Sequence, residues 1–259
     1  MKYSAISITA VFRTIVLVGF FLLLAWLTQT GELAKFINPR FAKLMELTGC
    51  LLFVMSAVQA ALIFCQHSGH SSDHCCNHNH KASCLPFILT LLAAAFLPNN
   101  NLDASVAANK GLNSRLIIDD SYGRQSVPRP LAKQLAQVRL IQVTDINYTE
   151  VMFEINNFPK EYIGKEIEMT GFVIKDASFP AARMALARYV VVCCAADASP
   201  YGLQCESEHT GQYPPDTWLN IRGIIQMGKD QEQNIPVIKI TTAKPVPEPA
   251  RPYVYPGYE

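Results

Sequence analysis

The sequence has almost no net charge and lacks the short motifs of the common enzyme classes. Its 259 residues include 22 Lys and Arg against 21 Asp and Glu, a formal net charge of +1. This balance leaves no basic footprint for nucleic acid and no acidic tail. There is no G-x-S-x-G, P-loop, dinucleotide-binding fingerprint, H-E-x-x-H or internal repeat. No nucleophile has a base beside it, so we expect no enzymatic activity.

Histidine is also scarce, and it is concentrated in one stretch. Five of the six His lie between residues 66 and 84, in QHSGHSSDHCCNHNHKASC, together with three of the eight Cys. The candidate ligands are His67, His70, His74, Cys75, Cys76, His78, His80 and Cys84. Imidazole and thiolate suit zinc, and mixed nitrogen and sulfur ligands also suit copper, nickel and cobalt. The stretch therefore predicts a site for zinc or another divalent transition metal.

The spacing of these ligands favours capture over a rigid centre. No zinc-finger spacing is present, and the Ser, Gly, Asn and His content is typical of a flexible loop. Such a loop fits capture, buffering or sensing of a metal better than catalysis. Two alternatives stay open. One is a solvated polar loop whose ligands are incidental, and the other is a disulfide between Cys75 or Cys76 and Cys84.

Long apolar runs lie on both sides of this loop. Residues 12–30 and 44–65 each have the length and hydropathy of a transmembrane helix, and no small-residue cleavage site follows the first. Residues 85–98 are short for a span. They predict a third span, with a re-entrant or interfacial segment as the alternative. The prediction for residues 1–98 is thus an α-helical membrane region of two to three spans, surrounded by lipid, in a multi-pass membrane protein.

The pattern changes in the C-terminal half. Residues 99–137 are rich in Asn, Ser, Asp and Pro, which predicts a linker. From 138 to 259, short alternating runs predict a soluble β-rich domain with a Pro-rich tail. Gly171 and Gly223 inside two of the predicted strands favour a small, strongly bent barrel. We expect an all-β, OB-like barrel, with a sandwich as the alternative. The predicted strands lie near 138–146, 166–175, 185–195, 201–206, 217–227 and 235–243.

A second group of candidate ligands lies in the segment ARYVVVCCAADASPYGLQCE. Cys193, Cys194 and Asp197 follow a predicted buried strand, and Cys205 lies on the next one. Adjacent strand residues point to opposite faces, so one Cys in the core and one at the surface is expected unless the strand ends there. Three interpretations stay open: a buried thiol with Asp197 capping a turn, a disulfide to Cys205, or a metal or redox site that uses Cys194, Asp197 and Cys205, with His209. The adjacent Cys argue against a thioredoxin-like C-x-x-C motif.

Several segments together resemble one family. They are T-G-E-L and N-P-R after the first span, V-Q-A in the second span, I-G-K-x-I-x-x-x-G-F-V, A-R-Y-V-V-V-C-C-A-A-D-A-x-P-x-G-L, D-T-W and a final P-Y-V-Y. Over nearly the whole chain they are similar to the YcgQ-like family of two-component permease subunits. The resemblance implies a separate multi-span permease as partner, a role in metal handling and an extracytoplasmic soluble domain. The matching positions, to which no catalytic role attaches, are Gly171, Phe172, Cys194, Asp197, Gly202 and Trp218.

The sequence therefore predicts a membrane accessory subunit of a permease that handles zinc or a similar divalent metal through residues 66–84. Three alternatives stay open. The first is a membrane-anchored metal sensor or scaffold with no transport role. The second is a membrane-anchored thiol oxidoreductase using Cys193, Cys194 and Cys205, which requires a thiol of lowered pKa. The third is an anchored barrel that binds a peptide or glycan.

Overall fold

The computed structural model describes residues 8–65, 85–96, 101–112, 129–180, 182–208, 210–230 and 233–256. The chain divides into two compact units, Met1–Asn100 and Asn101–Glu259. The ligand-rich loop at 66–84 and His209 lie outside the described residues, so the metal site predicted there stays a prediction.

The N-terminal unit is helical. Two helical segments are long and apolar enough to cross a membrane, Ala10–Thr30 and Pro39–Ile63, the second of which begins with a 3-10 turn at Pro39–Phe41. They confirm the two predicted apolar helices. Large apolar side chains on them, such as Leu22, Leu47 and Leu62, are more than half exposed. Lipid is the environment in which such exposure is favourable. The helices are α1 (Ile8–Thr30), α2 (Leu33–Phe36), α3 (Ala42–Cys65) and α4 (Leu85–Phe96).

The predicted third span coincides with α4, which packs against α1. The rings of Phe20 and Phe87 meet edge to face, with their centroids 6.4 Å apart. Leu91 packs closely against Gly19, since a Cβ added to Gly19 would lie 2.9 Å from the Cδ1 atom of Leu91. α4 has 12 residues and is therefore about 18 Å long, against about 30 Å of hydrocarbon. A third span at 85–98 stays a prediction.

The C-terminal unit is built on one seven-stranded mixed sheet in the order β1-β2-β5-β6-β4-β3-β7, and β2 also pairs with β3. Three pairs are parallel, β1–β2, β4–β6 and β3–β7, and the others are antiparallel. Each predicted strand overlaps an observed one. The strands are β1 (Leu140–Gln142), β2 (Glu166–Ile174), β3 (Arg183–Val190), β4 (Ser199–Glu206), β5 (Trp218–Asp230), β6 (Gln233–Pro245) and β7 (Tyr253–Val254).

Helices contribute to this unit, so the prediction of an all-β, OB-like barrel is not confirmed. The helices are α5 (Ala104–Lys110), α6 (Ala132–Gln137) and α7 (Tyr148–Asn157). In α7 the residues Tyr148, Val151, Met152 and Ile155 recur at helical spacing and are fully buried in the main core. What the structure establishes is a mixed sheet with helices packed on it.

Residues 101–112, which the composition assigns to a linker, are packed on the sheet. Ala104 and Ala107 of α5 are buried in a second apolar cluster. The backbone N–H of Leu102 donates to the Tyr253 hydroxyl (2.8 Å), and the Tyr189 hydroxyl donates to the carbonyl of Asp103 (2.7 Å). The folded unit therefore begins close to Asn101, well before the predicted start at 138.

Two glycines let the strands beside β3 approach its backbone. A Cβ on Gly171 would lie 2.6 Å from the carbonyl oxygen of Ala187, and one on Gly202 would lie 2.7 Å from the Cα of Ala187 and closer still to the carbonyl oxygen of Leu186. Such contacts are with backbone atoms, which cannot turn aside as a side chain can. Gly171 and Gly202 are thus needed for the tight pairing of β2, β3 and β4.

We predict that Gly202→Ala lowers the free energy of unfolding by about 1–3 kcal/mol, because the added methyl group overlaps the β3 backbone. The measurement is thermal unfolding of the detergent-solubilised full chain, followed by tryptophan fluorescence. Gly211→Ala is the matched control, since a Cβ there meets nothing within 4 Å. Equal melting temperatures for the two variants would contradict the packing argument.

Candidate functional site at the Cys193–Asp197 turn

β3 ends at Val190, and the two adjacent cysteines follow in the turn that leads to β4. Cys193 is exposed and Cys194 is partly buried. The expectation of one thiol in the core and one at the surface is therefore wrong, because the strand alternation stops before the cysteines. The Sγ atoms of Cys193 and Cys194 lie 3.6 Å apart, on the same side of the turn.

Asp197 holds this turn through its carboxylate. Oδ1 accepts the backbone N–H of Val192 (2.9 Å), and Oδ2 accepts those of Cys193 (2.7 Å) and Cys194 (3.3 Å). Burial alone would raise the pKa of Asp197, but hydrogen bonds from the Cys193 thiol and these three N–H groups outweigh it and hold the pKa below its usual value. Asp197 thus caps the turn, as the structural interpretation expected, although neither adjacent thiol is buried in the core.

The turn brings together three groups that can ligate a metal. One ligand atom each from Cys193, Cys194 and Asp197 lies within 4.8 Å of the others. Two sulfurs bonded to one tetrahedral zinc at 2.3 Å stand about 3.8 Å apart, close to the 3.6 Å observed. A carboxylate has about four lone-pair positions. In Asp197 the backbone N–H groups use three of them, and the Cys193 thiol uses the fourth while it is protonated. Among the described residues the turn therefore offers two soft ligands and one weaker oxygen, which leaves a coordination position open.

Cys205 does not belong to this site. Cys205 is buried on β4 and lies opposite Met184 of β3. The turn begins only after Val190, six residues further along β3, where Val190 lies opposite Ser199. Six residue steps along a strand correspond to about 20 Å, and a disulfide needs Cα atoms within about 7 Å. Two of the three open interpretations, a disulfide to Cys205 and a site in which Cys205 is a ligand beside Cys194, are therefore excluded by the strand register. Burial also raises the pKa of Cys205 to about 12.

The charge state of Cys193 is unfavourable for thiol redox chemistry. Hydrogen bonds from its thiol to the Asp197 carboxylate and to the Cys194 sulfur raise the pKa of Cys193 to about 11. A nucleophilic thiol needs a lowered pKa, because the thiolate is the reactive species. The geometry of the turn therefore argues against the oxidoreductase alternative.

We predict that iodoacetamide alkylates Cys193 in the folded chain at pH 7.5 at least about tenfold more slowly than free cysteine, whose pKa is about 8.5. Peptide mass mapping of timed aliquots measures the rate at this residue. Asp197→Asn should accelerate the reaction, since the negative acceptor that stabilises the protonated thiol is lost. Alkylation of Cys193 in the wild type as fast as free cysteine would restore the oxidoreductase alternative.

Elements remote in sequence hold both ends of the turn. At its start, the backbone N–H of Val191 donates to the carbonyl of Val254 in β7 (2.9 Å). At its end, the Lys110 ammonium of α5 donates to the carbonyl of Ala198 (2.6 Å). Sequence reasoning missed Lys110 because it lies in a polar stretch assigned to a linker. The signal for β7 is the short apolar run in P-Y-V-Y, inside a tail otherwise rich in Pro.

Arg188 attaches the C-terminal tail to β3 just before the turn. Its side chain is buried and pairs with Asp145, and it donates to the carbonyl oxygens of Arg251 and Pro252. A buried guanidinium is stable only when its donors are satisfied in this way. Arg188 therefore fixes the tail strand whose Val254 carbonyl receives the N–H of Val191.

The remaining family-match positions have structural roles. The Phe172 ring stacks on the Tyr189 ring with a centroid distance of 5.3 Å, and its centroid lies 5.8 Å from that of Trp218. All three rings belong to the second apolar cluster under α5. Gly171 and Gly202 provide the close strand approach described above. Of the six matched positions, only Cys194 and Asp197 lie at the turn.

Comparison with known proteins identifies the family. The DUF1980 N-terminal domain matches residues 12–113, and the DUF1980 C-terminal domain matches residues 119–256. The chain belongs to the DUF1980 family. It is 29% identical to the UPF0703 protein YcgQ of Bacillus subtilis, over 95% of this chain and 100% of that protein. The YcgQ-like resemblance is therefore confirmed.

A second relative has a name that describes a role. The chain is 26% identical to a Streptococcus mutans protein named "Putative two-component membrane permease complex subunit", over 94% of this chain and 98% of that protein. No solved structure is significantly similar to the chain.

Proposed function

We propose that this DUF1980 protein is the membrane accessory subunit of a two-component permease. The observation that carries the proposal is the similarity to the Streptococcus mutans permease-complex subunit over almost the full length of both chains. The two apolar helices of spanning length support a place in the membrane. The partner is then a separate multi-span permease subunit, and the accessory subunit itself carries out no covalent chemistry.

The cargo that best fits the turn is zinc or a similar thiophilic divalent cation. The support is the pair of sulfurs 3.6 Å apart on an exposed turn, together with the Asp197 carboxylate, whose oxygen lies within 4.8 Å of both sulfurs. Structural zinc sites close all four positions with protein ligands, whereas an open site can pass its ion on.

The strand neighbours support the OB-like plan as a further part of the proposal. Strands β2 to β6 each pair with two of the other four, in the cyclic order β2-β3-β4-β6-β5, with only β4 and β6 parallel. An OB-fold is a five-stranded, partly open barrel. On this plan α7, β1 and β7 are additions to the five strands. An extracytoplasmic position for this unit remains part of the proposal.

The first test measures zinc in the detergent-purified full chain by dialysis and metal analysis. We expect the wild type to bind zinc with Kd below about 1 µM, and Cys193→Ser/Cys194→Ser to lose about one ion per chain. Cys50→Ser is the matched control, because Cys50 is an exposed thiol on α3 and belongs to the other compact unit. Equal zinc content in the wild type and in the double variant would exclude the turn as a metal site.

Metal flux separates transport from sensing. Cells that contain the partner permease and either the wild type or the double variant are compared for zinc uptake and export. The permease-subunit proposal requires a lower flux in the variant at equal protein level. Unchanged flux with altered metal-dependent gene expression would instead support the sensor alternative.

A further inference from the structure

Among the described residues, one edge of the sheet is open next to β4. β6 pairs with β5 from Gln233 to Pro245, with a bulge at Thr241, but it pairs with β4 only over residues 237–239. From Ile240 to Pro245, β6 therefore has a strand partner on one side only among the described residues. An open edge offers backbone N–H and C=O groups to an incoming strand.

The register shows which backbone groups face this edge. The N–H of Val246 donates to the carbonyl of Trp218 (2.9 Å). Val246 and Trp218 are therefore a hydrogen-bonded cross-strand pair. Hydrogen-bonded and non-hydrogen-bonded pairs alternate along an antiparallel ladder. Lys244 therefore bonds to β5, whereas Ala243 and Pro245 do not. Pro245, which has no N–H to give, agrees with this assignment. The N–H and C=O of Ala243 point to the open edge.

A cleft of about 760 Å³ runs along this edge. On one side it is lined by residues 239–244 of β6, and on the other by Ala182, Glu206, Ser207, Glu208 and Tyr213. Ile240, Ala243 and Tyr213 pack against the main core, and Lys239 and Lys244 are exposed at the outer face. The cleft therefore presents an apolar floor and a charged rim.

The charge of the rim favours an acidic occupant. Glu206 lies 3.7 Å from Arg183, which balances its charge. No described acidic group lies within salt-bridge distance of Lys239 or Lys244, and Glu208 is the one further acidic side chain in the cleft lining. Opposite charges on neighbouring strands stabilise their pairing, and like charges oppose it.

We propose that this edge binds an extended peptide segment that alternates apolar and acidic residues and adds to β6 as a further strand. Its backbone bonds to the N–H and C=O of Ala243, its apolar side chains contact Ile240 and Tyr213, and its acidic side chains face Lys239 and Lys244. Strand addition of this kind uses the main chain for affinity and alternate side chains for specificity. The proposal does not depend on the permease role or on metal binding at the turn.

The experiment uses the detergent-solubilised full chain and three fluorescein-labelled nonapeptides, with binding followed by fluorescence anisotropy. The first alternates Val and Glu, the second has the same composition in blocks, and the third alternates Val and Lys. We expect the Val–Glu peptide to bind at least about tenfold more tightly than either control, since only it satisfies both faces. Lysines on an edge also protect sheets from unwanted pairing. No binding of the Val–Glu peptide, or equal binding of all three, would mean that the lysines only protect the edge, and would overturn the proposal.

Two variants test the contacts. Ala243→Pro removes the N–H at the open edge and no bond of the β5 ladder, so we expect at least about tenfold weaker binding with an unchanged melting temperature. Ala243→Val keeps that N–H and serves as the control. Lys239→Glu/Lys244→Glu changes only exposed side chains, and it should reverse the preference from the Val–Glu to the Val–Lys peptide. Wild-type affinity in Ala243→Pro, or an unchanged preference in the charge variant, would refute the assigned geometry.

Discussion

The close approach of β2, β3 and β4 around Ala187 is the constraint on which the C-terminal unit depends. Gly171 and Gly202 provide it, because any Cβ at these positions would overlap the backbone of β3. The pairing of β3 with β4 then runs without interruption to Val190 and Ser199. The cysteine turn is therefore the exposed end of a tightly paired hairpin, and its position follows from the pairing below it.

The turn itself is organised by main-chain contacts more than by side-chain packing. Asp197 gathers three successive N–H groups, β7 receives the N–H before them, and Lys110 bonds to the carbonyl after them. The two Sγ atoms are thus held 3.6 Å apart by the main-chain contacts of the turn. The same hydrogen bonds raise the pKa of Cys193, which disfavours the thiolate that thiol redox chemistry and metal ligation both require.

The C-terminal unit offers two surfaces of different chemistry. The cysteine turn presents soft ligands, and the open edge of β6 presents backbone groups between lysines. The N-terminal unit adds helices of spanning length whose large apolar side chains are exposed. Each surface is built from residues that the core leaves available, since the aromatic cluster at Phe172 and the buried Arg188 are fully occupied with structural contacts.

The sequence by itself determined the two spanning helices and the approximate places of the strands, because hydropathy over 20 residues and period-two alternation are local properties. It did not show where β3 ends. The run Y-V-V-V-C-C is apolar throughout, and the strand stops only because the Asp197 carboxylate takes the N–H groups that a longer strand would use. It also did not place Cys205, since only the β3–β4 register shows that this thiol is far from the turn. The packing of α5 on the sheet also could not be predicted, because it depends on contacts that are distant in sequence. A short Ala-rich helix has little hydrophobic periodicity, and the hydroxyls and carbonyls that hold it belong to residues almost a hundred positions or more away.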